Sequence, residues 1–205
     1  HTNAIIHVLD SGIVHVHIAS RGIRHKFQTG LILESKTPYE LDFECTDGCE
    51  NENFEAYPQV WETSFGEHVG YTHYLYEEND PMAYRTLWSR VGDVRQKLVH
   101  GGHYAIRYYD GEFSYMVYNQ LVNGHPDTRI NLYMMKTSDG INWTNLKDEA
   151  LNVPLDTDDK STLIYESENN LYLKDISVDY NGLKVLFTES TSSDPTEGTR
   201  LVKEW

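Results

Sequence analysis

Basic residues are scarce in this chain. Seventeen Lys and Arg stand against 32 Asp and Glu, a formal charge of −15 over 205 residues. An acidic chain without a Lys/Arg cluster is a poor partner for nucleic acid or for an anionic membrane surface, and both partner classes are set aside. No apolar run approaches the ~20 residues that a bilayer span needs. The longest, such as Ala4–Ile6 and Gly30–Leu33, are strand-sized. No stretch keeps a helical apolar period over three turns. Gly-x-Ser-x-Gly, His-Glu-x-x-His and a phosphate-cradling glycine loop are all missing, which removes the best-marked hydrolase, zinc-protease and nucleotide sites.

Cysteine occurs only twice, in Cys45-Thr46-Asp47-Gly48-Cys49. A short disulfide loop is the expected reading; a zinc site would need a second pair. Asn142-Trp143-Thr144 is a sequon, making Asn142 a candidate glycosylation site. Together these features lean towards an extracellular protein. Disorder is excluded by what is abundant: 39% apolar residues, 12% aromatics, fifteen tyrosines and four tryptophans.

A repeat organises the chain. Ser35, Ser89, Ser138 and Ser190 each follow a strand-like run, at spacings of 49 to 54 residues. Upstream of each lies a turn signal, Asp10-Ser11-Gly12, Ser64-Phe65-Gly66, Asp110-Gly111 and Glu168-Asn169-Asn170. Each unit divides into four strands. The first is expected to hold 4–9, 13–19, 29–34 and 39–44, and the second 59–63, 68–76, 84–90 and 94–99. The third is expected to hold 104–109, 112–120, 129–136 and 142–146, and the fourth 162–166, 171–178, 183–189 and 199–203. Ile13-Val14-His15-Val16-His17-Ile18 alternates as a strand with one buried face must. Four-stranded units at a period of ~50 residues describe an all-β propeller. A β-sandwich also has short strands but gives no reason for a repeated serine. One propeller domain is expected over 1–205, with blades near 1–50, 51–100, 101–155 and 156–205.

The third unit carries Thr137-Ser138-Asp139-Gly140-Ile141-Asn142-Trp143. This resembles the Asp-box (BNR motif) of sialidase-like propellers, one residue short. In that family the box is a turn between third and fourth strands, with the Asp capping amides, the Gly at positive φ and the aromatic packed between sheets. Gly101-Gly102-His103-Tyr104, Tyr118-Asn119, Arg129–Tyr133, Ser20-Arg21-Gly22 and Leu171–Asp175 resemble BNR-4-type repeat proteins, as does the opening His1-Thr2-Asn3. Relatives in that group include polysaccharide lyases acting on uronate polymers. Seven blades would need ~350 residues, so the chain is expected to be a piece of a longer propeller that self-associates through open blade faces, or a closed four-bladed one.

The resemblance implies a lyase site. Lyase chemistry on a uronate needs a base, a cation for the carboxylate and an acid for the leaving oxygen. His103 would be the base, His125 its partner, Arg129 the carboxylate clamp, and Tyr104 or Tyr118 the acid. His1, Arg21, Arg85, Asn119 and Tyr71 would contact substrate. The competing reading makes His103 and Arg129 structural, Arg21 and Arg85 ordinary solvated charge, and Tyr71, with His73 and Tyr74, core packing. His7, His15 and His17 resemble a metal cluster, but sequence places no carboxylate beside them, so no metal site is assigned. No cofactor is expected; loop calcium at Asp158-Asp159, Glu77-Glu78 or Glu50/Glu52 is the alternative to solvated surface. The resulting expectation is a secreted carbohydrate-active propeller acting on acidic polysaccharide as a lyase or glycosidase relative. A non-catalytic propeller that binds glycan or protein is the alternative.

Overall fold

A computed structural model describes residues 2–21, 28–39, 42–47, 56–74, 85–122, 125–156, 158–192 and 198–205. It is all-β, with four antiparallel sheets that follow one another along the chain. The first contains β1 (Thr2–Val8), β2 (Val14–Arg21), β3 (Gln28–Ser35) and β4 (Phe43–Asp47). The second contains β5 (Ala56–Thr63), β6 (Gly66–His73), β7 (Thr86–Val91) and β8 (Val94–His100). In the third, β9 (Gly102–Tyr109), β10 (Ser114–Val122), β11 (His125–Thr137) and β12 (Trp143–Thr144) lie in chain order. The last contains β14 (Leu171–Asp179), β15 (Gly182–Ser190) and β16 (Arg200–Glu204). The first strands are neighbours in series: β1 lies beside β5, β5 beside β9, and β9 beside β14.

One expected strand sits elsewhere. Residues 162–166 are expected to open the fourth unit, yet β13 (Leu163–Tyr165) pairs antiparallel with β11 of the third sheet. The cause is a length mismatch. β11 runs for 13 residues, but β12 covers only Lys136 and Thr137. The uncovered edge at Leu132 and Tyr133 presents unpaired backbone groups, and β13 satisfies them. The third sheet therefore has five strands and the fourth three, where four each were expected.

The third sheet is buried on both faces. Along β10 and β11 the side chains alternate with period two. Met116, Tyr118, Tyr133 and Met135 pack with Leu87, Leu98 and Val99 of the second sheet. Val117, Leu132 and Met134 pack with Leu171, Ile176, Val185 and Phe187 of the fourth. A strand covered on two sides must be apolar at every position, and the run Leu132-Tyr133-Met134-Met135 is that pattern.

The turn at 137–143 is locked by its own side chains. The Asp139 carboxylate accepts from the amides of Ile141 (2.9 Å) and Asn142 (2.7 Å), and Thr137 Oγ1 accepts from the Gly140 amide at 2.9 Å. Gly140 has φ +74°, and a Cβ there would lie 2.3 Å from Val91 Cγ2 on the second sheet. Trp143, 2% exposed, fills the same inter-sheet layer beside His68.

Candidate functional site

Aromatic and cationic side chains from three consecutive sheets form a ladder at the start of the first strands. Tyr74 follows β6, Arg85 precedes β7, Tyr104 lies on β9, Arg129 on β11, Tyr172 on β14 and Arg200 on β16. The Arg85 guanidinium stands 5.1 Å from the ring centres of both Tyr74 and Tyr104. Arg129 stands 5.3 Å from the Tyr104 ring and 4.4 Å from that of Tyr172. Arg200 caps the row, 4.0 Å from Tyr172. Tyr57 meets Tyr104 edge-on at 5.8 Å.

Cation and ring therefore alternate: Tyr74, Arg85, Tyr104, Arg129, Tyr172, Arg200. Each guanidinium–ring contact contributes roughly 0.5–2 kcal/mol depending on desolvation, which offsets the repulsion between three like charges. Arg85 and Tyr74 are buried at 3% each, Tyr104, Arg129 and Tyr172 are half-buried, and Arg200 is exposed. The row thus runs from interior to solvent. A guanidinium can stack through its face while bonding a carboxylate through its edge. Backbone supports the register: the Arg129 amide donates to Oδ1 of the buried Asn170 at 2.8 Å.

The residues singled out from sequence divide between this ladder and the core. Tyr104, Arg129 and Arg85 are members of the ladder. His103 is the neighbour of Tyr104 on β9, and His125 opens β11, four residues before Arg129; their side chains, and that of Arg21, lie outside the described residues, as do His1 and Cys49. Tyr118 is 1% exposed, stacked 5.2 Å from Tyr133, with its hydroxyl 2.8 Å from Thr162 Oγ1. Burial pushes its phenol well above the ordinary tyrosine range. Asn119 is fully buried and donates to the Asn131 carbonyl at 2.9 Å, bracing an irregularity where Asn131 has φ +57°. Tyr71 is 7% exposed and stacks on Trp88 at 6.2 Å. Asn142 is exposed and donates to Asp139 Oδ2 at 2.7 Å. Arg200 and Tyr172 were missed as site residues. No spacing signal connects them to Arg129, because the contact crosses between sheets.

A second polar group lies between the first and second sheets. His15 and His17, on one face of β2, meet Glu67 of β6. His15 Nδ1 is 2.5 Å, and His17 Nε2 3.5 Å, from Glu67 Oε2. His15 Nε2 is 3.0 Å from Glu34 Oε2. The hydrogen bond to Glu67 raises the pKa of His15, against the opposing effect of burial. Burial alone would raise that of Glu67, but the neighbouring His15 and His17 outweigh it and hold the carboxyl far below the usual range. Sequence placed no carboxylate beside these histidines. The structure does, from a residue about fifty positions away in another sheet.

No family model matches the chain, and no curated protein matches it. Among solved structures, one described as "Bacteroides ovatus Xyloglucan PUL GH43B" aligns with TM-score 0.42 and 9% identity. A second, described as "The GH130 family of mannoside phosphorylases contains glycoside hydrolases that target beta-1,2 mannosidic linkages in Candida mannan", aligns with TM-score 0.40 and 13% identity. Each alignment covers 98% of this chain, but the chain spans only 39% and 64% of those two. No residue role is carried over from either.

Proposed function

We propose that this chain is a carbohydrate-active β-propeller, or part of one, that holds an acidic sugar at the Tyr74–Arg200 ladder. The observation that carries the reading is the convergence of Arg85, Arg129 and Arg200, from three sheets, on the faces of Tyr74, Tyr104 and Tyr172. Arginine edges suit carboxylates, and the tyrosine faces hold the guanidinium groups in a row with those edges left to meet an acidic ligand. Four sheets in series with adjacent first strands, and the Asp-box-like turn at 137–143, support the propeller part of the reading. A local cation row overrides the −15 overall charge at short range, since exposed charges beyond about 10 Å are screened at ordinary salt.

In the lyase form of this proposal, Arg129 neutralises the uronate carboxylate and Tyr104 protonates the leaving oxygen. His103 and His125 supply the base. Tyr104 is preferred over Tyr118 as the acid because it is half-buried in the ladder, whereas Tyr118 is sealed in the core. Secretion, a Cys45–Cys49 disulfide and a glycan on Asn142 belong to the same proposal. So does the alternative in which the ladder binds glycan without turning it over.

The test is calorimetric titration with an oligouronate and with a neutral oligosaccharide of equal length. Saturable binding of the uronate, weakened at least tenfold in Arg129→Gln, supports the reading. Equal affinity for the neutral sugar, or no effect of Arg129→Gln on a folded protein, overturns it. Release of an unsaturated product separates the lyase from the binding module.

A further inference from the structure

We propose that His15, His17 and Glu67 form a binding site for a zinc-like divalent cation between the first two sheets. The inference is independent of the sugar reading. One donor atom from each of the three residues lies within 4.8 Å of the other two. Ligands around a four-coordinate zinc sit about 2.0–2.2 Å from the ion, so a modest outward movement of Glu67 opens room between them.

Three further observations point to an ion rather than to a simple ion pair. His17 is 1% exposed, yet its Nδ1 has no hydrogen-bond partner and its Nε2 reaches only Glu67, at 3.5 Å and without hydrogen-bond geometry. A buried imidazole left unsatisfied costs free energy, and a metal bond through Nε2, the nitrogen facing Glu67, would remove half of that deficit. His15 offers Nδ1 to the site while its other nitrogen faces Glu34 at 3.0 Å. A carboxylate behind a ligating histidine is the usual support of a metal site, fixing tautomer and ring orientation. Arg90 Nη2, 3.8 Å from Glu67 Oε1, steers the carboxylate's second oxygen away from the histidines.

The donor set decides the ion. Two imidazoles and one carboxylate disfavour calcium and magnesium, which take oxygen ligands, and suit zinc or its neighbours cobalt and nickel. A cavity of about 610 Å³, lined by His15, Glu67, Thr46, Phe65, Arg90 and Asp93, lies beside the group. It supplies both an entry path and a fourth position for water or an anion. Pairing of β1 with β2 sets His7 opposite His15, but His7 turns to Glu62 at 3.5 Å and is not a ligand.

The experiment titrates the purified chain, stripped with chelator, with zinc and separately with cobalt in excess magnesium. The expected result is one equivalent bound with micromolar or tighter affinity, and intense visible cobalt bands of a four-coordinate site. Glu67→Gln and His17→Asn should each weaken binding at least a hundredfold, Glu34→Gln about tenfold, and His7→Gln not at all. Sub-stoichiometric or magnesium-displaceable binding by the wild-type chain overturns the proposal, whatever the fate of the variants. So does unchanged affinity in a folded Glu67→Gln protein.

Discussion

The Arg107 side chain crosses β6 at Gly70, where a Cβ would lie 1.9 Å from its Nε. From there the guanidinium donates to the Trp88 carbonyl at 2.8 Å and stands 3.3 Å from Nε2 of the buried His68 and 5.7 Å from the Trp143 ring. A residue of the third sheet is thereby laid directly against the backbone of the second. Gly70→Ala puts a methyl group where Arg107 must pass. A loss of about 2–3 kcal/mol is expected from overpacking, read as a lowered urea midpoint. Arg107→Met in the Gly70→Ala background should recover part of it; strict additivity of the two changes would show that the residues do not interact.

The 137–143 turn makes a separate prediction. Asp139→Ala removes an acceptor from two backbone amides and should cost about 1 kcal/mol, as loss of a side-chain cap does. Gly140→Ala should cost more, since it adds both an unfavourable φ and a clash with Val91. Thermal unfolding of the two variants gives the order. An Asp139 variant more damaging than Gly140→Ala would reverse the account.

Glu189 on β15 gathers the segment before β14. Its carboxylate accepts from Ser167 Oγ at 2.5 Å, Tyr165 OH at 3.0 Å and Asn169 Nδ2 at 3.3 Å, and pairs with Lys203. Burial pushes its pKa up, but these partners outweigh burial and hold it at about 2. The folded pKa lies below the unfolded one. The stabilisation is therefore complete above about pH 4.5 and lost as pH falls towards 2. Glu189→Gln should cost about 2 kcal/mol at pH 7, with the difference from wild type shrinking below pH 4. A pH-independent difference in denaturant titrations would assign the effect to packing instead.

Tyr104 separates turnover from binding. Tyr104→Phe keeps the ring between Arg85 and Arg129, so oligouronate affinity should stay within about threefold while any eliminative turnover falls by a hundredfold or more. Tyr104→Ala should lose both. If Tyr104→Phe retains full turnover, the hydroxyl is not the acid.

Much of the strand plan was readable because half-buried strands alternate and their turns carry glycine or asparagine. His15, Val16 and His17 show the alternation, and Gly12 and Gly111 the turns. Pairing was harder. Leu163–Tyr165 has strand composition whichever edge it joins, and only the shortness of β12 decides that β11 takes it. Arg85, Tyr104 and Arg129 were singled out one at a time from their own strands, without the row they form together. Partners were hidden where the contact crosses sheets, as for Glu67 with His15 or Arg129 with Tyr172. Tyr118 was misleading for a related reason: both faces of its sheet are covered, so alternation carries no hint of which side meets solvent.

The two faces of the second sheet meet their neighbours through different chemistry, and this sets an order of opening. Towards the third sheet it offers Leu87, Leu98 and Val99; towards the first it offers Glu62 and Glu67 to histidines. Apolar contact resists salt, whereas ionic contact yields to it. Amide hydrogens of β1 and β2 should therefore exchange ahead of those in β10 and β11, and more so as ionic strength rises. The first sheet would behave as a detachable leaf on an otherwise solid stack, the element through which solution conditions reach the rest of the molecule.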